Sequence, residues 1–329
     1  MDSLKDEKNP GGELKVINFI QRHRSQLGII GLLIGLWIIF IITSPKVFLN
    51  PHAYGSIMRV VPITIILATA LVFLVACREI DLSFSSIMGL SAWTFVSLFD
   101  RVHPIFAILA GLVVGAAAGC INGILVTKVG LPSLVTTLGM MFFWRGFIMI
   151  GTQGLGKAIT EVKETPLYTI FVGKVGAFTT VHMFWAIAIT FVFWIVLNRR
   201  KFGAYILYVG DNIESARMMG INIDLVKIGA FALVGGAAAF AGLISVLQNL
   251  VFFPVAGEGY LLVALAAVFL GGTPTWGGVG TVFGSFVAPL ILGLIDTGLI
   301  AAGITGFWTQ FIYGLVIVLS LTAHRVLRR

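Results

Sequence analysis

The sequence predicts an all-α polytopic membrane protein of about ten transmembrane helices, some of them broken or re-entrant. Three observations carry this. Hydrophobic residues make up 58% of the 329 and charged residues only 11%, whereas soluble domains hold roughly 45–50% apolar and 25% charged residues. The apolar residues gather into ten runs, at about 26–43, 60–77, 82–99, 104–127, 134–150, 181–197, 227–250, 260–271, 281–296 and 307–323. No soluble core could hide that much apolar surface, so the solvent must be lipid. Several runs also fall short of the roughly 20 residues that a perpendicular crossing needs, or carry glycine, as broken helices packed inside a membrane protein do.

Taken in order, residues 1–25 read as a polar cytoplasmic tail that ends in a short amphipathic helix at the membrane face. The run that begins near Gln26 lacks a small-residue cleavage site and reads as an uncleaved first span. One transmembrane domain follows over 26–323, interrupted by a cytoplasmic loop at 198–227, and a basic tail closes the chain at 324–329. Charge sets the orientation. With the N-terminus inside, six of the 22 Lys and Arg fall outside (Lys46, Arg59, Arg101, Lys157, Lys163 and Lys174), Arg145 lies within a span, and the other fifteen are cytoplasmic. That is the asymmetry that fixes topology, and it places both termini in the cytoplasm. The net charge of +8 follows from this arrangement and points to no nucleic-acid partner. Cys77 and Cys120 read as small core residues.

Glycine organises the middle of the chain. Gly111, Gly115, Gly119 and Gly123 recur every fourth residue, leaving a bare stripe on one face of the fourth span. Such a face lets two helix backbones approach, which in lipid replaces the missing hydrophobic drive. Gly280 and Gly284 begin a similar stripe in the ninth span, where GLIDTGLI (Gly293–Ile300) echoes GCINGILV (Gly119–Val126). A match five spans apart implies two halves of opposite orientation, a 5+5 inverted repeat.

Few residues offer chemistry. GTQGLGKA (Gly151–Ala158) is one residue from a phosphate-binding loop, but it ends in Ala158 where a magnesium-binding hydroxyl belongs, and it follows a membrane helix. No His or Cys cluster has metal-ligand spacing, and no cofactor is expected. CREIDLS (Cys77–Ser83) is a charged knot between two apolar runs. Asp81, followed by Ser83, either caps a solvated cytoplasmic turn or marks a helix break that lines a solute path. Arg145 is costly at mid-span and must face protein or water. Asn122, Thr137, Thr273 and Asp296 stand in or beside spans with aromatics such as Trp144, Phe269 and Trp276. As single residues they serve either as helix-to-helix hydrogen bonds or as solute contacts. Neutral groups of this kind suit a neutral polyhydroxylated solute better than an ion, which demands charged or carbonyl rings.

The loop at 198–227 is the longest polar interruption of the second half. Asp211 is placed to cap a short helix, Glu214 completes a capping-box pattern, and Gly220 supplies a left-handed stop, so about two turns are expected over 212–219. Ile213, Ala216 and Met219 fall on one face, and Met218 with Met219 forms a soft apolar knob suited to an irregular groove. The alternative is a helix resting at the lipid interface.

The loop helix reads E-S-A-x-x-x-G across Glu214–Gly220 and resembles the EAA…G signature of bacterial ABC importer permeases. REIDLSFSSIMGLSA (Arg78–Ala92), TLGMMFFWRG (Thr137–Gly146) and ALAAVFLGGTPTWGGVGTVFGS (Ala264–Ser285) resemble segments of the ribose-type, monosaccharide permeases of the branched-chain-amino-acid/sugar superfamily, in the expected order. The chain departs from them at Arg78 and Glu79, where a glycine pair is usual, and at Val279, where Arg is common. The resemblance implies the ten-helix fold of type II ABC importers, an inner-membrane location and a second permease subunit, identical or different. It also implies a periplasmic sugar-binding protein and a cytoplasmic ABC ATPase that supplies the ATP hydrolysis this chain lacks. Glu214–Gly220 would then be the coupling helix. The competing reading is an ion-gradient-driven sugar transporter, for which Asp81, Asp296 and Glu258 are the available carboxylates.

Overall fold

The computed structural model describes residues 24–176, 179–304 and 306–327. The N-terminal tail up to residue 23, with the basic residues counted there, and Arg328 and Arg329 lie outside the described residues.

Among the described residues, ten helices are apolar along their length. The first half holds α1 (Arg24–Thr43), the short α2 (Pro45–Phe48), α3 (Pro51–Ala76), α4 (Phe84–Phe99), α5 (Pro104–Thr127) and α6 (Ser133–Thr152). After a linker with α7 (Pro166–Val172) come α8 (Val181–Arg199), α9 (Lys201–Asp211), α10 (Ile213–Met218), α11 (Ile223–Asn249), α12 (Tyr260–Leu270), α13 (Val282–Ala301) and α14 (Phe307–Leu327). Eight are long and apolar enough to cross a membrane, and α4 and α12 are the two shorter apolar helices. The chain is therefore all-α and polytopic. Proline starts α3 and α5, where its missing N–H costs nothing, and the Asn50 side chain accepts from the His52 amide ahead of α3 at 3.0 Å.

Helix α3 begins nine residues before the apolar run that predicted it, because His52, Ser56 and Arg59 dilute its first turns. Two two-residue ladders tie the loops: β1 (Lys157–Ala158) pairs with β4 (Val251–Phe252), and β2 (Lys174–Val175) with β3 (Thr179–Thr180).

The most deeply buried long helices are α3 and α11, while α1, α6 and α14 expose most of their apolar surface. α3 packs on α12 and α13, and α11 packs on α4 and α5. α4 lies against α5 and α6, and α12 lies against α13 and α14. Each half thus repeats one sequence of parts: a long buried helix, a break, a short helix and two long helices. The halves run in opposite directions, since the end of α3 meets the start of α11 through the Glu79–Lys227 ion pair. Asn122 in α5 and Asp296 in α13 occupy the same place in the two halves, as the sequence echo aligned them.

The glycine stripe forms a close helix contact. Gly115 abuts Gly235 and Ala239, Gly119 abuts the Phe231 carbonyl, and Gly123 abuts Ile228, all on α11. Gly111 faces the Ser91 carbonyl of α4 instead. Any Cβ at Gly119 would overlap backbone, so only glycine allows this approach.

Candidate functional site

Two chain breaks enter the interior from opposite ends, and the exposed loop helix α10 lies at one of those ends. The end that carries α9 and α10 is called the α10 side, and the other the far side.

The first break, Cys77–Ser83, follows α3 on the α10 side. Arg78 adopts φ +64 and turns the chain back on itself. Its guanidinium donates to the Asp211 carbonyl at 2.6 Å, while Glu79 pairs with Lys227 of α11. The Gly278 amide donates to the Ala76 carbonyl at 2.9 Å, joining the loop before α13 to the same junction. Beyond it the chain runs inward without helical bonds, so its amides need other partners. Thr137 Oγ1 accepts from the Leu82 amide at 3.1 Å, and Ser133 Oγ accepts from the Ile80 amide at 3.3 Å, both from the first turns of α6. Asp81 Oδ1 accepts from the Ser83 amide (2.7 Å) and hydroxyl (2.6 Å), and the Asn122 amide donates to that hydroxyl at 2.6 Å. Asp81, Ser83, Asn122 and Thr137 are thereby one fully buried cluster. The solvated-turn alternative for Asp81 does not hold, because the cluster has no exposed surface.

The second break, Leu250–Gly259, follows α11 from the far side. Arg145 of α6 holds it: its guanidinium donates to the Pro254 carbonyl and, at 3.0 Å, to the Ala256 carbonyl, while Nε lies 3.3 Å from Glu258 Oε1. Mid-span Arg145 is thus neutralised by a carboxylate and saturated by carbonyls, which is how such a charge is tolerated. Gly257, at φ +95, presses its backbone against the Ser85 carbonyl of α4, where a side chain would collide. The two breaks therefore meet where α4 and α12 begin. α4 is 16 residues long, about 24 Å, and α12 is 11 residues, about 16 Å. Against a hydrocarbon core of roughly 30 Å, the meeting point lies near mid-depth.

The remaining candidates fall elsewhere. Trp144 turns to the core, packing on Phe143 with ring centroids 4.9 Å apart, and its buried indole nitrogen lacks a partner among the described residues. Thr273 is fully buried on the α10 side, where its hydroxyl accepts from the Thr281 amide at 3.1 Å and staples a loop. Asp296 accepts from the Tyr313 hydroxyl at 2.5 Å and lines a cavity of about 530 Å³ between α3, α12, α13 and α14. In the phosphate-loop look-alike, Lys157 is committed to Asp100 at 2.7 Å.

The loop holds two helices where one was expected. α9 is amphipathic, burying Gly203, Ile206 and Val209. Asp211 ends α9 and is not the cap of α10. Asn212 takes that role, its side-chain oxygen accepting from the Ser215 amide at 3.0 Å. Gly220 closes α10 at φ +75, with the Ile221 amide donating back to Ala216 at 3.1 Å. Ala216 is buried, Glu214 and Arg217 face outward 3.7 Å apart, and Met218 and Met219 are 86% and 57% exposed.

Glu79 and Lys227, and the tie of Glu258 to Arg145, gain importance only from the structure. Their partners lie far away in sequence (Lys227 is 148 residues from Glu79), so no local pattern announces them. The departure of Arg78 and Glu79 from a glycine pair was the one available signal.

Helices of this length and composition, two opposed breaks and an exposed loop helix define a membrane permease built as an inverted repeat. Residues 53–321 match the family described as "Branched-chain amino acid transport system / permease component", and the chain belongs to it. It is similar to the ribose import permease protein RbsC of Escherichia coli (strain K12), at 32% identity over 84% of this chain and 87% of that one. RbsC of Bacillus subtilis (strain 168) is 31% identical over 90% and 92%. The autoinducer 2 import system permease protein LsrC of Yersinia pseudotuberculosis (serotype IB, strain PB1/+) is 30% identical over 92% of this chain and 85% of its own. No solved structure matches.

Proposed function

We propose that the chain is the membrane-spanning subunit of an ATP-driven ABC importer for a monosaccharide or a similar small polyhydroxylated solute. It pairs with a second permease subunit in the bacterial inner membrane, receives solute from a periplasmic binding protein, and is driven by a cytoplasmic ATPase. Both termini and α10 are then cytoplasmic, as the charge asymmetry requires.

The observation that carries this reading is α10. It is fixed at both ends and anchored by buried Ala216, yet it offers bare Met218 and Met219 on a polar flank. Exposed soft apolar side chains of this kind mark a docking site, and the E-S-A-x-x-x-G pattern resembles the ATPase-coupling signature. Asp211, at the junction with α9, is hooked to the first break through Arg78, which gives a mechanical route inward. An ion-coupled transporter fits less well, since it gives the exposed helix α10 no role and Glu258 is already charge-paired with Arg145. The solute path is assigned to the interior where the two breaks meet. Among the sequence candidates, Asp81, Ser83, Asn122 and Thr137 back that region, Arg145 borders it, and Asp296 lines the cavity on the far side.

Reconstitution in liposomes tests the reading. Solute uptake should require ATP, the ATPase and the binding protein. Gly220→Val, which forces a β-branched residue into a left-handed position, should leave insertion and basal ATP hydrolysis intact while abolishing uptake. Uptake by the permease alone on an ion gradient, indifferent to ATP, would sink the proposal.

A further inference from the structure

We infer that the cavity between the starts of α4 and α12 is the mid-membrane resting site of the transported solute, and that Glu258 accepts hydrogen bonds there from a vicinal pair of its hydroxyls. The inference rests on the import reading above and adds the residues and the chemistry of recognition.

The cavity measures about 240 Å³ and is walled by Ser85 and Ser86 of α4, Met141, Phe142 and Arg145 of α6, and Glu258 and Leu261 at the second break. It lies where the two breaks meet, near mid-depth, between halves of opposite orientation. Discontinuous helices in inverted-repeat transporters form solute sites at such positions, because their free N–H groups have no intrahelical partner.

The wall chemistry selects the solute class. Glu258 has one charged partner among the described residues, Arg145, and its side chain remains 58% exposed. Arg145 is itself immobilised by the carbonyls of Pro254 and Ala256, so the carboxylate is held in place while part of it stays available. A carboxylate accepts from two adjacent hydroxyls in a charge-assisted pair. Ser86 is fully buried, and its hydroxyl has no partner among the described residues although it borders the cavity. A buried hydroxyl left unpaired is costly unless a ligand answers it. Phe142 is 66% exposed and offers an apolar face to the carbon skeleton. Glu258 and Arg145 cancel in charge, which favours a neutral solute over an ion. The larger cavity at Asp296 is a weaker candidate, since it lies away from α4 and α6 and its carboxylate already accepts from Tyr313.

The test uses the permease with its ATPase and binding protein in liposomes, presented with radiolabelled D-ribose, D-xylose and D-glucose. For each sugar that the wild type imports, the monodeoxy analogues are added. Glu258→Gln should lower uptake of the parent sugar by roughly ten- to a hundredfold, the worth of a hydrogen bond to a charged group. Glu258→Asp should recover part of the loss. The deoxy analogue that lacks one of the paired hydroxyls should be imported poorly and lose little more on Glu258→Gln. Phe142→Ala, which touches no hydrogen bond, should also reduce uptake. The site is overturned if Glu258→Gln imports at the wild-type rate, or if every analogue loses uptake by the same factor, as a merely structural role for Glu258 would give. A wild-type complex that imports none of the three sugars overturns the assignment of an unsubstituted aldose to this site, and leaves the wider import reading to the coupling test above.

Discussion

The two breaks are counterparts in an inverted repeat, yet they are secured in different ways. The first is sealed. The Ile80 and Leu82 amides are answered by Ser133 and Thr137, Asp81, Ser83 and Asn122 bond to one another without exposed surface, and Arg78 and Glu79 are held by the Asp211 carbonyl and by Lys227. The second is held by one arginine, and it leaves a half-exposed carboxylate beside a cavity. Through the Arg78–Asp211 contact the buried first break is also joined to the start of α10. Partial opening leaves the Glu258 carboxylate within reach of a molecule in the neighbouring cavity, whereas the Asp81 cluster has no exposed surface. One architecture used twice has thus been specialised by its side chains.

The largest effect is expected at the Glu79–Lys227 pair, whose side chains are 9% and 13% exposed. Removing one member strands a buried charge, which costs roughly 3–5 kcal/mol. Either Glu79→Ala or Lys227→Ala should therefore lower the thermal unfolding midpoint in detergent markedly. Replacing both by Met should recover much of the loss, because the desolvation cost disappears together with the attraction. The control is Lys128–Asp224, at 2.5 Å but 59% and 37% exposed, where Lys128→Ala should cost about 1 kcal/mol or less. If Lys128→Ala lowers the midpoint as much as Glu79→Ala or Lys227→Ala does, the first break is not sealed.

A smaller effect is expected at Arg145. Arg145→Met removes the donor to the Pro254 and Ala256 carbonyls and the partner of Glu258, but Glu258 is 58% exposed, so water can replace part of what is lost. The expected cost is roughly 2–3 kcal/mol. Arg145→Lys should recover little, because a single ammonium cannot serve two carbonyls and a carboxylate in the geometry of a planar fork. Hydrogen exchange gives the sharper readout: protection should fall across 250–259 and stay unchanged across 77–83. Equal loss in both segments would mean that the two breaks form one cooperative unit.

Much of this architecture was legible in the sequence, for reasons that particular residues illustrate. Pro104 and Thr127 bound α5 where the apolar run begins and ends, since hydropathy and helix length obey the same lipid thickness. The pairing of Asn122 with Asp296 was visible as an echo of eight residues. α9 was not, because Tyr205, Ile206, Tyr208 and Val209 lie in a polar loop whose amphipathic pattern is short and shows its meaning only when Gly203 and Ile206 are packed. Neither was the role of Glu258, a lone carboxylate whose partner Arg145 lies more than a hundred residues earlier. Long-range ion pairs leave no periodic trace. The cap of α10 illustrates a different limit: Asp211 and Asn212 are both good capping residues, and only the end of α9 decides between them.

That choice yields the smallest and most local prediction. Asn212→Ala removes the oxygen that accepts from the Ser215 amide, and should cost about 1 kcal/mol, felt as faster hydrogen exchange at Ser215 and its neighbours in α10. Asp211→Ala should do almost nothing, because Arg78 binds the backbone carbonyl at 211, which every residue type provides. Since that carbonyl joins the start of α10 to the first break, loosening Asn212 should also raise exchange at 77–79, with 250–259 unaffected. Were Asp211→Ala the more damaging of the two, the capping side chain would be Asp211, and α10 would begin one residue earlier with its link to the first break weakened.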